Sequence, residues 1–328
     1  MNAMELAIKV QDLTKQYPNV LAVDHISFEV HKGEFFGFLG PNGAGKTTTI
    51  NILTGVAKAT SGTASILGHN LATEPIEAKE HIGVVPDTSH LYDEMTAWAN
   101  IIFCAKLHGV SKEGRDKKAR ELLEIVGLYG RRNDRVGTFS RGMKKRMMIA
   151  AALVHEPEIL FLDEPTTGLD VQSAREVRGL IRDLNKQGTT VFLTTHYLEE
   201  ADVCCQNIAI IAKGKIIVEN TPEKLKLGTQ VEQVVEVSFD HAENVTADKL
   251  KRLSQAREVV AAGDKFRIHV NDASETLPLI FNFATENHLK IVSICTLKPT
   301  LEDAFIQLTG LRPEIMAIEK EQLKPKRG

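Results

Sequence analysis

The sequence predicts an α/β protein in two parts, a parallel sheet flanked by helices and then a small α+β domain. Short, almost wholly apolar runs typical of buried parallel strands occur at 34–39, 159–163, 190–196 and 207–212, with helical stretches between them. Strands that alternate with helices favour a parallel sheet. After about Gly228 the order changes to βαββαβ, which is the order of a ferredoxin-like fold.

The other elements follow from the period of the apolar residues. Alternating apolar and polar positions predict strands within 6–30, and shorter runs predict strands in SGTASILG and HIGVVPD. From about 90 to 155 the apolar spacing becomes three to four residues, which predicts helices in LYDEMTAWANIIFCAKLHG and KKARELLEIVGL. Because strands resume at 159–163, the helix-rich stretch is interpreted as an insertion into the core.

These changes of pattern set the predicted domain boundaries. The first domain is expected at 1–227, with the helix-rich insertion at about 88–155. The α+β domain is expected at 228–310. The charged tail at 311–328 is expected to be partly disordered.

The composition is that of an ordinary globular protein and disfavours several classes. The chain has 328 residues, of which 43% are hydrophobic and 25% charged. The net charge of −3 provides no global basic field, so we expect no nucleic-acid partner. No uncharged apolar run is long enough to span a bilayer, and the N-terminus lacks the layout of a signal peptide. The four cysteines form no CxxC pattern, which favours reduced structural cysteines.

One glycine-rich segment carries the strongest chemical signal. Gly40-Pro-Asn-Gly-Ala-Gly-Lys-Thr matches GxxxxGK[ST], between a predicted strand and a predicted helix. Glycines let backbone N–H groups wrap a polyphosphate, and the helix N-terminus adds unpaired donors. Lys46 should then reach the β- and γ-phosphates, and the Thr47 hydroxyl should coordinate Mg²⁺. The flanking elements disfavour the alternative of a glycine-rich turn without a ligand, so the predicted nucleotide-binding residues are Gly40, Pro41, Asn42, Gly43, Ala44, Gly45, Lys46, Thr47 and Thr48.

A second group of candidates lies at the ends of two later apolar strands. ILFLDEP places Asp163 and Glu164 where a strand emerges, and His196 ends TVFLTTH. Asp163 is a candidate Mg²⁺ anchor through water, and Glu164 is a candidate general base for the attacking water. His196 is a candidate for holding water and base in line. Strand-end acids and lone histidines are often structural, so these assignments depend on the phosphate loop upstream.

Several motifs in a fixed order resemble the ATP-binding-cassette family, from about Val10 to Thr221. GPNGAGKT is similar to its first nucleotide motif, FSRGMKKR (139–146) to its signature motif, and ILFLDEP to its second nucleotide motif. GLD, which ends at Asp170, resembles the D-loop, and TTHYLEEAD resembles the switch-histidine region. Tyr17 matches the aromatic residue that stacks on adenine, and an ordinary strand aromatic is the alternative.

The resemblance implies a fold and a mechanism. The fold is a P-loop NTPase cassette, with a RecA-like parallel sheet core, an antiparallel β subdomain and a helical subdomain. Two copies pack head to tail around two ATPs with Mg²⁺, so the Ser140 hydroxyl and the Gly142 N–H of one copy touch the γ-phosphate held by the other. A basic helix from Lys144 would point its N-terminus at that phosphate. Hydrolysis opens the dimer, and a membrane subunit turns the opening into transport.

The chain departs from the family pattern in two motifs. The common signature LSGGQ reads FSRGM here, with Arg141 and Met143 replacing a Gly and the Gln, while Ser140 and the second Gly are kept. Asp87 follows HIGVVP, where the family usually has a Gln that binds Mg²⁺ and senses the transmembrane partner. Because a carboxylate is also a hard oxygen donor, we expect Asp87 to coordinate Mg²⁺. The alternative is that Asp87 only keeps its loop solvated.

The SRGMK signature and the segment PTLEDAFIQLTG resemble the ATPase subunits of drug-resistance-type exporters, of which the daunorubicin exporters are the best known. In these the membrane permease is a separate polypeptide, so we expect this chain at the cytoplasmic face of the cell membrane, as a peripheral subunit. Leu91, Tyr92 and Met95 lie where the family docks a coupling helix, whereas Trp98 is expected to pack within the helical subdomain. Two alternative functions remain open. One is a cassette ATPase that acts on ribosomes or nucleic acid, and the other is a small-molecule kinase with the same phosphate loop.

Overall fold

The computed structural model describes residues 5–228, 233–240, 245, 247–254, 256–297 and 300–310. These residues divide into two compact units, one that extends to Pro222 and resumes at Leu308, and one that comprises Glu223–Gln307. The charged tail predicted at 311–328 lies outside the described residues.

The first unit contains two sheets and the helices that accompany them. Its elements in chain order are β1 (Leu6–Tyr17), β2 (Val20–His31), β3 (Phe35–Leu39), α1 (Lys46–Leu53), β4 (Ser61–Ile66), β5 (His69–Asn70), α2 (Pro75–Glu80), β6 (Ile82–Val85), α3 (Ala97–Leu107), α4 (Lys112–Ile125), α5 (Arg141–Ala152), β7 (Ile159–Asp163), α6 (Val171–Lys186), β8 (Thr190–Thr195), α7 (Leu198–Cys204), β9 (Asn207–Ala212) and β10 (Lys215–Asn220). Short 3₁₀ turns at Tyr129–Arg131 and Val136–Thr138 precede α5, and α8 (Pro222–Gly228), which follows β10, belongs to the second unit from Glu223 onward.

The larger sheet of this unit is parallel except at one edge. Its strand order is β10-β9-β3-β8-β7-β6, and within it β10 pairs with β9 in the antiparallel direction. Every residue of β3, β7 and β8 is buried, which explains their continuous apolar sequences. The carboxyl ends of neighbouring parallel strands meet at one edge of a sheet, so Leu39, Asp163 and Thr195 end side by side.

The smaller sheet is antiparallel, in the order β2-β1-β4-β5. Phe28 of β2 meets Phe36, Phe38 and Phe192 of the parallel sheet, with ring centroids 5.6, 5.6 and 5.9 Å apart, and Phe161 lies 5.4 Å from Phe192. Side chains of both sheets share one hydrophobic cluster. Because aromatic rings bury large apolar areas, this phenylalanine cluster holds the two sheets together. The predicted α/β class, with a parallel core and an antiparallel sheet, is confirmed.

The helix α3 begins later than the apolar pattern predicts. The pattern assigns LYDEMT to the helix, yet α3 starts at Ala97, where the Thr96 hydroxyl accepts a hydrogen bond from the N–H of Ala99. The residues before it are held in a different conformation by Asn100. Its side chain accepts from the N–H of Tyr92 and donates to the Tyr92 carbonyl, both at 3.0 Å. The prediction of a helix that includes Tyr92 is therefore wrong.

The second unit has the βαββαβ order that the sequence predicts. The antiparallel sheet order β12-β13-β11-β14 is that of a ferredoxin-like fold, and Val235, Ile268 and Ile280 lie in its core. The elements are β11 (Gln233–Phe239), α9 (Ala247–Ser254), β12 (Glu258–Ala262), β13 (Lys265–Val270), α10 (Ala273–Glu286), β14 (Ile291–Leu297) and then α11 (Leu301–Thr309). In the described part of the chain, no helix of either unit combines the length and the apolar character needed to cross a membrane.

Candidate nucleotide site

The phosphate loop forms the bend between β3 and α1. Gly43 and Gly45 adopt φ values of 76° and 112°, in the left-handed region that favours glycine. A Cβ atom on Gly40 would lie 2.2 Å from the carbonyl oxygen of Ile211, so the Gly40 backbone packs directly on β9. Glycine is therefore needed at these three positions to form the turn from which α1 starts.

Lys46, the first residue of α1, is buried beneath this loop. Its side chain is 5% exposed, and Nζ lies 3.6 Å from Oε1 of Glu164. Nζ also donates hydrogen bonds to the carbonyl oxygens of Gly40 at 2.7 Å and Pro41 at 3.2 Å. A buried charge is tolerated only with such partners, so one cation links the phosphate loop to the residue that follows β7.

Asp163 ends β7 and is held by two hydroxyl groups. Thr47 donates to its Oδ2 at 3.1 Å, and Thr194 donates to its Oδ1 at 2.5 Å. Because Thr47 belongs to α1 and Thr194 to β8, the carboxylate is fixed from two sides. A carboxylate beside a hydroxyl offers the hard oxygen donors that Mg²⁺ prefers.

Glu164, the next residue, has an unusual backbone conformation. Its φ of 47° lies in the left-handed region, which residues other than glycine rarely adopt. Its N–H donates to the carbonyl of Thr194 at 3.0 Å, and its Oε2 accepts from the Thr167 hydroxyl at 3.0 Å. Such strain persists only where the surroundings impose it, and it is common at functional sites. The result is a carboxylate that lies against both Lys46 and His196.

His196 follows β8 and faces the same carboxylate. Its Nδ1 lies 3.0 Å from Oε2 of Glu164 without the alignment of a hydrogen bond, so the two side chains form a close polar contact. The ring centroid of Tyr197 lies 4.2 Å from that of His196. Because His196 and Glu164 are only 9% and 6% exposed, little solvent screens the charges at this contact.

Lys46, Asp163 and Glu164 border a cleft of about 280 Å³, whereas His196 contacts Glu164 but is not among the residues that line the cleft. Asp87 lines it from the loop after β6. The predicted residues Gly40 and Pro41 do not line the cleft but hold Lys46, and Ala44 accepts a hydrogen bond from the N–H of Gly214 at 3.0 Å. The lining residues are Ala22, Asn42, Gly43, Gly45, Lys46, Thr47, Thr48, Asp87, Asp163 and Glu164.

Tyr17 is not among the residues that line the cleft. It ends β1 and is 38% exposed, and Nζ of Lys15 lies 4.9 Å from its ring centroid. An exposed ring retains a free face for stacking on a base, so adenine binding by Tyr17 stays a prediction.

The signature residues lie at a different place, where α5 and α6 begin. Ser140 caps α5 by accepting from the N–H of Met143 at 3.2 Å, and Asp170 caps α6 by accepting from the N–H of Ser173 at 2.9 Å. A Cβ atom on Gly142 would lie 2.6 Å from the Ser173 side chain, so glycine here lets the two helix starts approach. Ser140, Gly142 and Asp170 do not line the cleft described above.

The structure corrects the predicted start of the signature helix and shows which group Arg141 contacts. The prediction that a basic helix starts at Lys144 is wrong, because the Ser140 cap starts α5 at Arg141. Arg141, which replaces a family glycine, donates to the carbonyl of Gly168 at 3.4 Å. Hydrogen bonds from Ser173 lower the pKa of Asp170, which keeps this capping carboxylate charged. The FSRGM and GLD segments are therefore linked directly within one chain.

The fold and the cleft together define a P-loop nucleotide-binding protein, and comparison with known proteins identifies the family. The family model described as "ABC transporter" matches residues 23–167. The chain is 35% identical to the linearmycin resistance ATP-binding protein of Bacillus subtilis (strain 168), over 92% of this chain and 98% of that protein. It is 34% identical to the daunorubicin/doxorubicin resistance ATP-binding protein of Streptomyces peucetius, over 93% and 92%.

A solved structure has the same fold over about two thirds of the chain. It is a dimeric ATP-binding cassette in a post-hydrolysis state bound to ADP and Pi, with a TM-score of 0.60 and 28% identity, covering 65% of this chain and 98% of that one. The chain belongs to the ATP-binding-cassette (ABC) transporter family, as an ATPase and ATP-binding subunit. The resemblance to drug-resistance ATP-binding proteins, inferred from the motifs, is confirmed.

A buried acid beside the site is missing from the sequence predictions. Glu200 of α7 is 1% exposed, and its Oε2 accepts from the Thr166 hydroxyl at 3.1 Å. Thr166 follows the Asp163–Glu164 pair, so Glu200 fastens this segment to α7. The sequence TTHYLEEAD marks Glu199 and Glu200 equally, although Glu199 is exposed, so only the structure separates them.

We expect Glu200→Gln to change how stability depends on pH. Burial raises the pKa of Glu200 from its ordinary value of 4.5, outweighing the hydrogen bonds that lower it. Such an acid favours folding below its unfolded-state pKa and loses this contribution as pH rises through the folded-state value. In urea titrations the variant should therefore gain stability relative to the wild type as the pH rises above 4.5. A constant difference at every pH would contradict this, and Glu199→Gln, at an exposed position, should follow the wild type throughout.

Proposed function

We propose that this chain is the ATP-hydrolysing subunit of an exporter, in which two copies hold two ATPs between them and drive a separate membrane permease. The observation that carries the proposal is the convergence of three side chains at the carboxyl edge of the parallel sheet. The Glu164 carboxylate lies 3.6 Å from Nζ of Lys46 and 3.0 Å from Nδ1 of His196. A small-molecule kinase would need the phosphate loop but not this grouping together with the FSRGM, GLD and TTH motifs.

Within one copy, each residue has a role that follows from its position. The phosphate loop at 40–48, through its N–H groups after Pro41, and the Lys46 ammonium bind the phosphates, and Tyr17 stacks on the adenine. Glu164 accepts the proton of the attacking water, and His196 keeps water and base in line. The low exposure of Glu164 and His196 supports these roles, because charge interactions are stronger where water is excluded.

Mg²⁺ fits the donors at the cleft. Proteins usually bind it with one or two carboxylates together with substrate phosphates and waters, not with a protein cage. Thr47 and Asp163 offer such donors, joined by a hydrogen bond of 3.1 Å. Among the residues that the structure describes, no group of three or more His, Cys, Asp or Glu forms a metal site by itself. We assign Mg²⁺ to Thr47, Asp163 and Asp87, where it would neutralise phosphate charge.

The signature residues are assigned to the ATP of the second copy. Ser140 and Gly142 lie at the start of α5, where free N–H groups and the helix dipole favour a phosphate. They do not line the cleft of their own chain, and the Asp170 carboxylate holds Ser173 against Gly142. The dimeric form of a relative bound to ADP and Pi supports an arrangement of two cassettes.

The two domains fit a transporter subunit that consists of a cassette and an accessory domain. We assign 1–227 to the cassette, with its helical subdomain at about 88–155, and 228–310 to the accessory domain. Helices α3, α4 and α5 lie within the residues assigned to the helical subdomain. The first compact unit extends to Pro222, close to the assigned domain boundary. The names of the drug-resistance relatives support export.

A separate permease would hold the chain at the cytoplasmic face of the membrane. Tyr92 is 53% exposed and is the best candidate contact, whereas Leu91, Met95 and Trp98 are only partly exposed. The side chain of Tyr92 rests edge-on against Phe103, with ring centroids 5.0 Å apart. An exposed aromatic on a supported loop is a common anchor in protein interfaces.

Affinity purification of the tagged full chain from detergent-solubilised membranes tests this partner. We expect a multi-helix membrane protein to co-purify, and we expect Tyr92→Asp to reduce its recovery by about tenfold, because the variant buries an unpaired charge. Ile125→Asp is the control, since Ile125 is 50% exposed at the end of α4 and should not affect recovery. Recovery of ribosomal proteins in place of a membrane protein would instead support the rival ATPase that acts on ribosomes or nucleic acid.

A further inference from the structure

Lys145 of α5 is a buried cation that the mechanism above does not use. The residue is 6% exposed. Its Nζ donates hydrogen bonds to the carbonyl oxygens of Pro86 and Asp87, each at 3.2 Å. Pro86 and Asp87 directly follow β6, and Asp87 lines the nucleotide cleft. One side chain of the signature helix therefore holds the backbone of the loop that carries Asp87.

Because the Lys145 ammonium is buried, its hydrogen bonds to this loop matter for the stability of the loop. A buried cation needs polar partners, so separating Lys145 from this loop would remove two carbonyl oxygens to which its Nζ donates. The influence of Lys145 extends further along the loop. Burial, and then the positive charge of Lys145, lower the pKa of His90. Lys145 thus acts on the segment that leads from Asp87 into the helical subdomain.

Lys144 makes a second contact with the same segment, in a more exposed position. Its Nζ donates to the two carboxylate oxygens of Asp93 at 2.7 and 2.9 Å. The side chains are 24% and 54% exposed, so solvent weakens this ion pair. Lys144 is therefore a suitable control for Lys145, because it is adjacent, has the same charge and reaches the same segment.

We propose that Lys145 is a positioning residue that sets the place of Asp87 at the nucleotide cleft relative to the start of α5. Since its hydrogen bonds go to backbone atoms, a displacement of α5 is carried directly to the loop at 86–90. This inference rests on the proposed function, in which Asp87 faces the ATP of its own copy while Ser140 and Gly142 face the partner's ATP. Lys145 would then keep the two halves of the composite site in register.

The test compares Lys145→Met, Lys145→Gln and Lys144→Ala in the full chain. Methionine keeps the length and apolar stem of lysine but lacks donors, whereas glutamine retains two N–H donors. Without nucleotide, we expect amide hydrogen exchange over 86–93 to be faster by about tenfold in Lys145→Met, with exchange over 40–48 within about threefold of the wild type.

With ATP, the same variant should separate kcat from KM. For Lys145→Met we expect kcat to fall by about tenfold and KM to change by less than about threefold, because the phosphate loop is untouched. Lys145→Gln should recover most of both effects through its donors. Lys144→Ala should stay within about twofold of the wild type.

Two results would overturn the proposal. The first is wild-type exchange over 86–93 together with wild-type kcat in Lys145→Met. The second is faster exchange throughout the first unit, with a lower thermal midpoint and no recovery by Lys145→Gln, since that would indicate a general stabilising role. If the wild-type chain has no ATPase activity, the proposed function fails, and the exchange result alone then supports or overturns the role of Lys145.

Discussion

Glu164→Gln lowers the ATPase turnover of the full chain by about 10²–10⁴-fold, which is the range typical for the loss of a general base. The amide has nearly the shape of the carboxylate and still accepts a hydrogen bond from Thr167, so the segment after β7 keeps its conformation. It has no basic oxygen that can take a proton from water. The loss should therefore appear in kcat, measured as phosphate release under saturating ATP and Mg²⁺.

Two further measurements make this prediction specific. Glu199→Gln is the matched control, because Glu199 is an exposed acid close in sequence to His196, and its turnover should stay near that of the wild type. Glu164→Gln should also accumulate as an ATP-bound dimer in size-exclusion chromatography, because hydrolysis would no longer open it. Turnover near the wild-type value in Glu164→Gln would remove the assignment of Glu164 as the base.

Lys46→Met weakens ATP binding by about 100-fold, since hydrogen bonds to charged groups contribute about 1.5–3 kcal/mol each and about 1.4 kcal/mol corresponds to tenfold in affinity. The variant also removes the cation that lies 3.6 Å from Glu164, which leaves a buried carboxylate without this partner. Affinity is measured by titration with a fluorescent ATP analogue. The thermal midpoint, recorded in parallel, reports the cost of losing this ion pair.

The two causes can be separated with a second substitution. Adding Glu164→Gln to Lys46→Met removes the carboxylate charge that Lys46 balances in the wild type, so stability should recover while ATP affinity stays low. Lys117→Met is the surface control, because the Lys117 side chain is 81% exposed and lies on α4. Wild-type affinity in Lys46→Met would contradict the assignment of Lys46 to the phosphates.

The elements best predicted from the sequence are those whose structure depends on residues adjacent in the chain. The buried strand β3, the glycine-rich turn and the start of α1 are adjacent in the chain, so motif and periodicity together predicted the loop that carries Lys46. The βαββαβ order of the second unit also followed from local patterns. Since parallel strands share one carboxyl edge, the approach of Asp163 to the phosphate loop and of His196 to Glu164 followed from topology.

Contacts between distant segments could not be predicted in this way. Lys145 reaches Asp87 across 58 positions, and the Gly142–Ser173 approach depends on how two helices pack. Periodicity also extended α3 too far, because it does not register the hydrogen bonds by which Asn100 holds Tyr92 outside the helix. These features arise from tertiary packing, which overrides local preference.

The phenylalanine cluster between the two sheets has a mechanical consequence. Close-packed interiors have low compressibility and transmit strain, so the two sheets and α1, which share one hydrophobic cluster, form a stiff block. Because of this packing, we do not expect one sheet to slide over the other when a force acts at the carboxyl edge of the parallel sheet. The force passes to the segments that join this block to α3, α4 and α5. We therefore expect movement of α3, α4 and α5 relative to this block to be taken up by the segments that join them to it, which include the loop after β6.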